Sequence, residues 1–127
     1  MKIAKIVARV LAGLILLFAS IAYFFDLIPP PPPEQLSEGM KTWGAGAMAT
    51  VYLMPLVKTL ELVCGLMFVS GFYVALANLV ILPISINAVL IHLFLDPSSI
   101  GMAAVLLLTN LFLIYAHRDK YAAVFTR

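Results

Sequence analysis

The chain has 127 residues, 64% of them hydrophobic and only 11% charged, with a net charge of +2. Soluble domains average about 25% charged residues, so this composition excludes an ordinary water-soluble fold, and the small net charge excludes a nucleic-acid binder. A mean hydropathy of +1.09 fits a single membrane domain over 1–127, with room for four spans of about 20 residues each.

Lys2, Lys5 and Arg9 open an apolar run that continues to Phe25. Ser20-Ile21-Ala22 weakly resembles a signal-peptide cleavage site. The run nevertheless outlasts a signal core of roughly 7–15 residues and passes straight into three aromatics, so a retained first span over about 6–26 is expected. At about 100° per residue, Lys2, Lys5, Arg9, Gly13 and Ser20 share one arc, an inward, closely packed face with a basic foot.

Asp26 and Pro29 to Pro33 end that span, and the prolines favour an extended spacer. Over about 34–48 a short amphipathic helix at the membrane interface is expected. Pro33 stands at its first position, Leu36, Met40 and Trp43 recur at helical spacing, and Gly44 and Gly46 loosen the chain afterwards. Trp43 suits the interfacial belt.

The second span, about 54–71, carries Lys58 and Glu61 about one and two turns below its mouth. Charges at a membrane helix centre cost roughly 2.5–3.5 kcal/mol each on insertion scales, so such residues face a bundle interior, a partner or a wet cavity. Gly65 continues the Glu61 face and admits a close helix. Gly71 turns the chain into the third span, about 73–95, where Asn78, Ser85 and His92 recur every seven residues. His92 lies about one turn, and Asn87 about 12 Å, inside the end near Asp96. The ends bearing both pairs open on the same side of the membrane, so Lys58, Glu61, Asn87 and His92 can share one polar layer.

Ser98 or Ser99 is placed to cap a fourth span over about 99–117, in which Asn110 is expected to hydrogen-bond a neighbouring helix. The tail adds Arg118, Lys120 and Arg127, with Tyr115 and Tyr121 suited to the interface. The fold class is thus all-α: a polytopic four-helix bundle with an interfacial helix between spans 1 and 2. The positive-inside rule puts both termini in the cytoplasm and the polar layer toward the outer face.

No glycine-rich phosphate loop, HExxH or GxSxG motif occurs in the sequence. The single cysteine, Cys64, excludes an internal disulfide and a CxxC pair. No catalytic or metal-ligating set stands out, and His92 and His117 lie near opposite ends of their helices. A quinone could use Glu61 and His92, because its carbonyls accept hydrogen bonds.

The chain resembles the DoxX family of small four-helix membrane proteins over nearly its whole length. The resemblance runs from the RxLxGLIxL-like opening at Arg9 through VKTLELVCGLMFVSG and LVILPISINAVLIHLFLDP to LIYAHRDKYAAVF. Its specific parts are K-x-x-E-x-x-x-G at Lys58, Glu61 and Gly65, and P-x-x-x-N-x-x-x-x-H-x-F-x-x-P from Pro83 to Pro97. The resemblance implies an inner-membrane protein and an association with quinone-linked or oxidative-stress redox systems, as an accessory subunit without independent catalysis. Its partners would be the bilayer, membrane or periplasmic redox proteins, and a second copy of the chain.

On that basis Lys58, Glu61, Asn87 and His92 are expected to form an outward pocket for a quinone, a lipid headgroup or a partner segment. A small proton-coupled transporter, hinted at by Pro83, Asn78, Ser85 and Asn110, and a purely structural bundle are the alternatives.

Overall fold

The computed structural model describes residues 2–127, which are helical with no strand among them. Helix α1 (Lys2–Phe24) ends where Asp26 adopts a left-handed conformation (φ 51°). There the Leu27 N–H returns to the Ala22 carbonyl at 3.0 Å. Pro32 lies in the polyproline II region (φ −57°, ψ 143°), and Pro33–Gln35 forms one 3-10 turn.

Helix α2 (Glu38–Ala49) begins later than the position of Pro33 suggests. Its N-cap is Ser37, whose Oγ accepts the Met40 N–H at 3.1 Å. The same Oγ donates to the Leu95 carbonyl at 2.6 Å, tying the start of α2 to a distant helix end. Gly39 sits against Leu95 so closely that a Cβ there would come within 2.6 Å of Leu95 Cδ2. Gly44 and Gly46 remain inside α2 and do not loosen the chain.

Helices α3 (Leu53–Ser70) and α4 (Val74–Leu95) are joined at Gly71, whose φ of 85° makes the left-handed C-cap that a side chain would strain. After α4, Pro97–Ser99 form a 3-10 turn. Ser98 Oγ donates to Asp96 Oδ1 at 2.7 Å. Helix α5 (Gly101–Ala116) therefore starts without a side-chain cap, because the expected capping serine serves Asp96 instead. The Ser98 and then the Ser99 hydroxyl hold the Asp96 carboxyl below its usual range.

Among the described residues three helices, α1, α3 and α4, are long and apolar enough to cross a membrane. Helix α5 qualifies only together with Arg118–Phe125, a 3-10 segment bent from it by 76°. Both α1 and α4 pack against α3 and α5, so the four helices close a ring around buried Leu16, Phe68, Ile81 and Leu113. The α1–α3 crossing is the closest. A Cβ on Gly13 would lie 3.1 Å from the Gly65 carbonyl oxygen, and one on Gly65 3.2 Å from that of Gly13, which is backbone against backbone. Exposed Leu14, Phe18, Leu66, Leu90 and Leu108 face outward, as a lipid surround requires.

Candidate functional site

Lys58, Glu61, Asn87 and His92 all line one cavity of about 360 Å³. The cavity lies between the N-terminal half of α3 and the C-terminal half of α4. Met40 and Trp43 of α2 cover it, and Met54, Val57 and Ile91 supply apolar walls. Antiparallel helices of equal rise bring the two polar pairs to one level, and the Ser37–Leu95 and Gly39–Leu95 contacts hold α2 over them. This volume falls in the range of small-ligand sites, about 300–1,000 Å³, where a few polar groups are set in an apolar lining.

Lys58 Nζ donates to Glu61 Oε2 at 3.1 Å, with side-chain exposures of 17% and 11%. Tyr23 of α1 stands with its ring centroid 6.0 Å from Lys58 Nζ, at the outer limit of a cation–π contact. The lysine charge is thus offset from both sides within the protein. Asn87 is exposed at the cavity wall, while His92 is half-buried. Its Nδ1 is buried and has no hydrogen-bond partner. A buried polar nitrogen left unpaired costs about 1–3 kcal/mol, so a group that pairs with it gains binding energy. The arrangement offers a cation and a carboxylate held together, an amide and an imidazole, all at one level of an otherwise apolar chamber.

The seven-residue stripe divides. Asn78 and Ser85 belong to a second polar cluster, on the α4/α5 interface, and His92 does not join them. Asn110 Nδ2 donates toward Asn78 Oδ1 at 3.2 Å, and Ser85 Oγ donates to Asn110 Oδ1 at 2.9 Å. Asn78 Nδ2 donates to Tyr121 Oη at 3.2 Å, and Tyr121 Oη donates to the Ala75 carbonyl at 2.9 Å. Tyr121, suited to the interface by sequence, is thus a buried partner of α4. Of the residues that hinted at transport, Asn78, Ser85 and Asn110 are hydrogen-bonded to one another. Among the described residues, no three His, Cys, Asp or Glu side chains converge to hold a metal.

The sequence did not point to Tyr23 beside Lys58, or to Met40 and Trp43 above it. The helical spacing of Met40 and Trp43 marked an apolar face, and only the tie to Leu95 aims that face at the cavity.

A family model described as DoxX matches residues 4–94, from α1 almost to the end of α4. That segment contains all four residues of the polar cavity. No curated protein and no solved structure matches the chain.

Proposed function

The chain belongs to the DoxX family, and from that premise we propose that it is an accessory subunit of a membrane redox or oxidative-stress system. Its α2-covered cavity receives the polar headgroup of a quinone. In this reading α5 is the fourth span, α2 lies at the interface, and the termini face the cytoplasm with the cavity toward the outer side. At about 24 Å, α5 is shorter than a hydrocarbon core of about 30 Å, a shortfall that local bilayer thinning accommodates. The orientation follows from the basic residues Lys2, Lys5, Arg9, Arg118 and Lys120 at the end opposite the cavity.

One observation supports the ligand above all: His92, whose Nδ1 is buried and unpaired, lines the same chamber as a preformed Lys58–Glu61 pair and the Asn87 amide. Quinone carbonyls accept hydrogen bonds, and the lysine, the amide and a protonated imidazole nitrogen can donate them. The Met and Ile walls suit the ring. No covalent step is required of the chain, whose role is to bind and orient.

Trp43, the only tryptophan, lines the cavity and reports on it directly. A short-chain benzoquinone titrated into the full chain in detergent is expected to quench Trp43 fluorescence saturably. Glu61→Gln and His92→Phe are each expected to weaken that binding at least tenfold. Identical saturation curves in the wild type and both variants would remove the cavity from quinone binding. Retention of a phospholipid or a partner protein, and no quinone, by the chain extracted from its own membrane would identify a different occupant.

A further inference from the structure

At the opposite end of the bundle a second cavity, of about 440 Å³, is lined by Lys2, Lys5 and Arg9 of α1 together with His117 and Lys120. The glycine turn at Gly71 and the start of α4, Tyr73 to Ala75, close its other wall. Among the described residues no carboxylate lines it. Among the described residues the two ion pairs are Lys41–Glu38 and Lys58–Glu61, and neither reaches this cavity, so its four Lys and Arg side chains have no acidic partner. Like charges gathered without a counter-charge repel, and such a cluster persists where an anion offsets it.

Two details show that the cluster is built and is not a chance gathering of surface lysines. The Arg9 guanidinium packs directly against Gly71, in the space a side chain at that position would fill. Its Nε is buried and has no hydrogen-bond partner. His117 Nδ1 donates to the Leu113 carbonyl at 2.9 Å, which fixes the ring and leaves Nε2 free. A planar guanidinium with an uncommitted N–H edge, flanked by flexible ammonium groups, is the pattern that recognises phosphate oxygens.

We propose that this cavity is a phosphate-binding site for an anionic phosphoryl group, carried either by the headgroup of an anionic phospholipid or by a free phosphate compound. It is independent of the quinone reading, since it shares no residue with the other cavity. Basic pockets between membrane helices hold lipid headgroups by this chemistry, each basic residue near the surface contributing about fivefold in affinity.

The test uses the full chain in detergent and follows its thermal unfolding. Phosphatidylglycerol, phosphatidylcholine and inorganic pyrophosphate are titrated separately. Stabilisation by phosphatidylglycerol alone identifies a lipid headgroup, and stabilisation by pyrophosphate as well identifies a site open to free phosphates. Lys2→Gln with Lys120→Gln, both at exposed positions, is expected to weaken the effective ligand about 25-fold without disturbing the fold. Arg9→Gln is expected to abolish the effect, and Lys41→Gln at the other end to leave it unchanged. Equal stabilisation by phosphatidylcholine, none by any of the three, or an undiminished response in the double lysine variant would overturn the proposal.

Discussion

The α4/α5 interface and the α2-covered cavity are both polar clusters inside an apolar bundle, but their hydrogen bonds are distributed differently. On the interface, Asn78, Ser85, Asn110 and Tyr121 satisfy one another and are almost wholly buried. In the cavity the Lys58–Glu61 pair is closed on itself, Asn87 is exposed, and His92 Nδ1 has no partner. A closed network has no capacity left for a ligand, and its effect is to fix the rotation of α5 against α4. An open one leaves donors and acceptors facing a chamber, which is costly in an empty protein and useful in a binding one. Polarity inside a membrane helix therefore does not mark a site by itself; incomplete pairing does.

The sharpest way to break this contrast is to remove half of the ion pair. Glu61→Leu leaves the Lys58 ammonium without its carboxylate in a mostly buried position, and is expected to cost about 3 kcal/mol of stability. Lys58→Met/Glu61→Leu is expected to stay within about 1 kcal/mol of the wild type, because neither charge is then stranded. Reversible unfolding in detergent, arranged as a double-mutant cycle, measures the difference. A double variant as unstable as Glu61→Leu would mean that the pair holds the bundle together and the cavity is only its by-product.

The interface cluster should respond in the opposite sense. Asn110→Leu removes the acceptor of Ser85 and a donor to Asn78, with an expected cost of about 1–2 kcal/mol. The quinone quenching of Trp43 should be unaffected. Altered quenching without altered stability would reverse the roles assigned to the two clusters.

How much of this was legible depends on whether a feature is local. The levels of Lys58, Glu61, Asn87 and His92 could be read because helical rise converts residue number into depth, and two antiparallel helices then compare directly. The Gly65 approach was equally local, a residue without a side chain on the Glu61 face, and Gly13 of α1 meets it. The seven-residue repeat of Asn78, Ser85 and His92 drifts about 20° per step on a straight helix, so the stripe parts into two environments. By His92 the face has turned toward α3 and α2. The burial of Tyr121 against α4 was not legible, because it depends on a 76° bend that no periodicity encodes. The start of α2 was misplaced because Pro33 and Ser37 are both acceptable starts locally. The bond from Ser37 to Leu95, across 58 residues of sequence, favours the second.

That same bond provides a smaller test, on the cover of the cavity. Ser37→Ala removes both the N-cap of α2 and its tie to α4, and is expected to cost about 1 kcal/mol. The loss should appear as faster amide exchange confined to α2 and a red-shifted Trp43 emission, with the rest of the bundle unchanged. Uniformly faster exchange would mean that α2 is part of the core and not a cover.

The smallest expected change in stability belongs to His92→Phe, and it is the most informative about function. A phenyl ring of similar shape removes the unpaired Nδ1, so the empty protein should lose no more than about 0.5 kcal/mol and could gain that much. Quinone quenching of Trp43 should nevertheless weaken at least tenfold. Structural histidines behave the other way: removing one costs stability and leaves ligands indifferent. A large loss of stability in His92→Phe with unchanged quenching would show that His92 makes a bond essential to the fold. The cavity would then join the α4/α5 interface as packing, and the contrast between the two clusters would disappear.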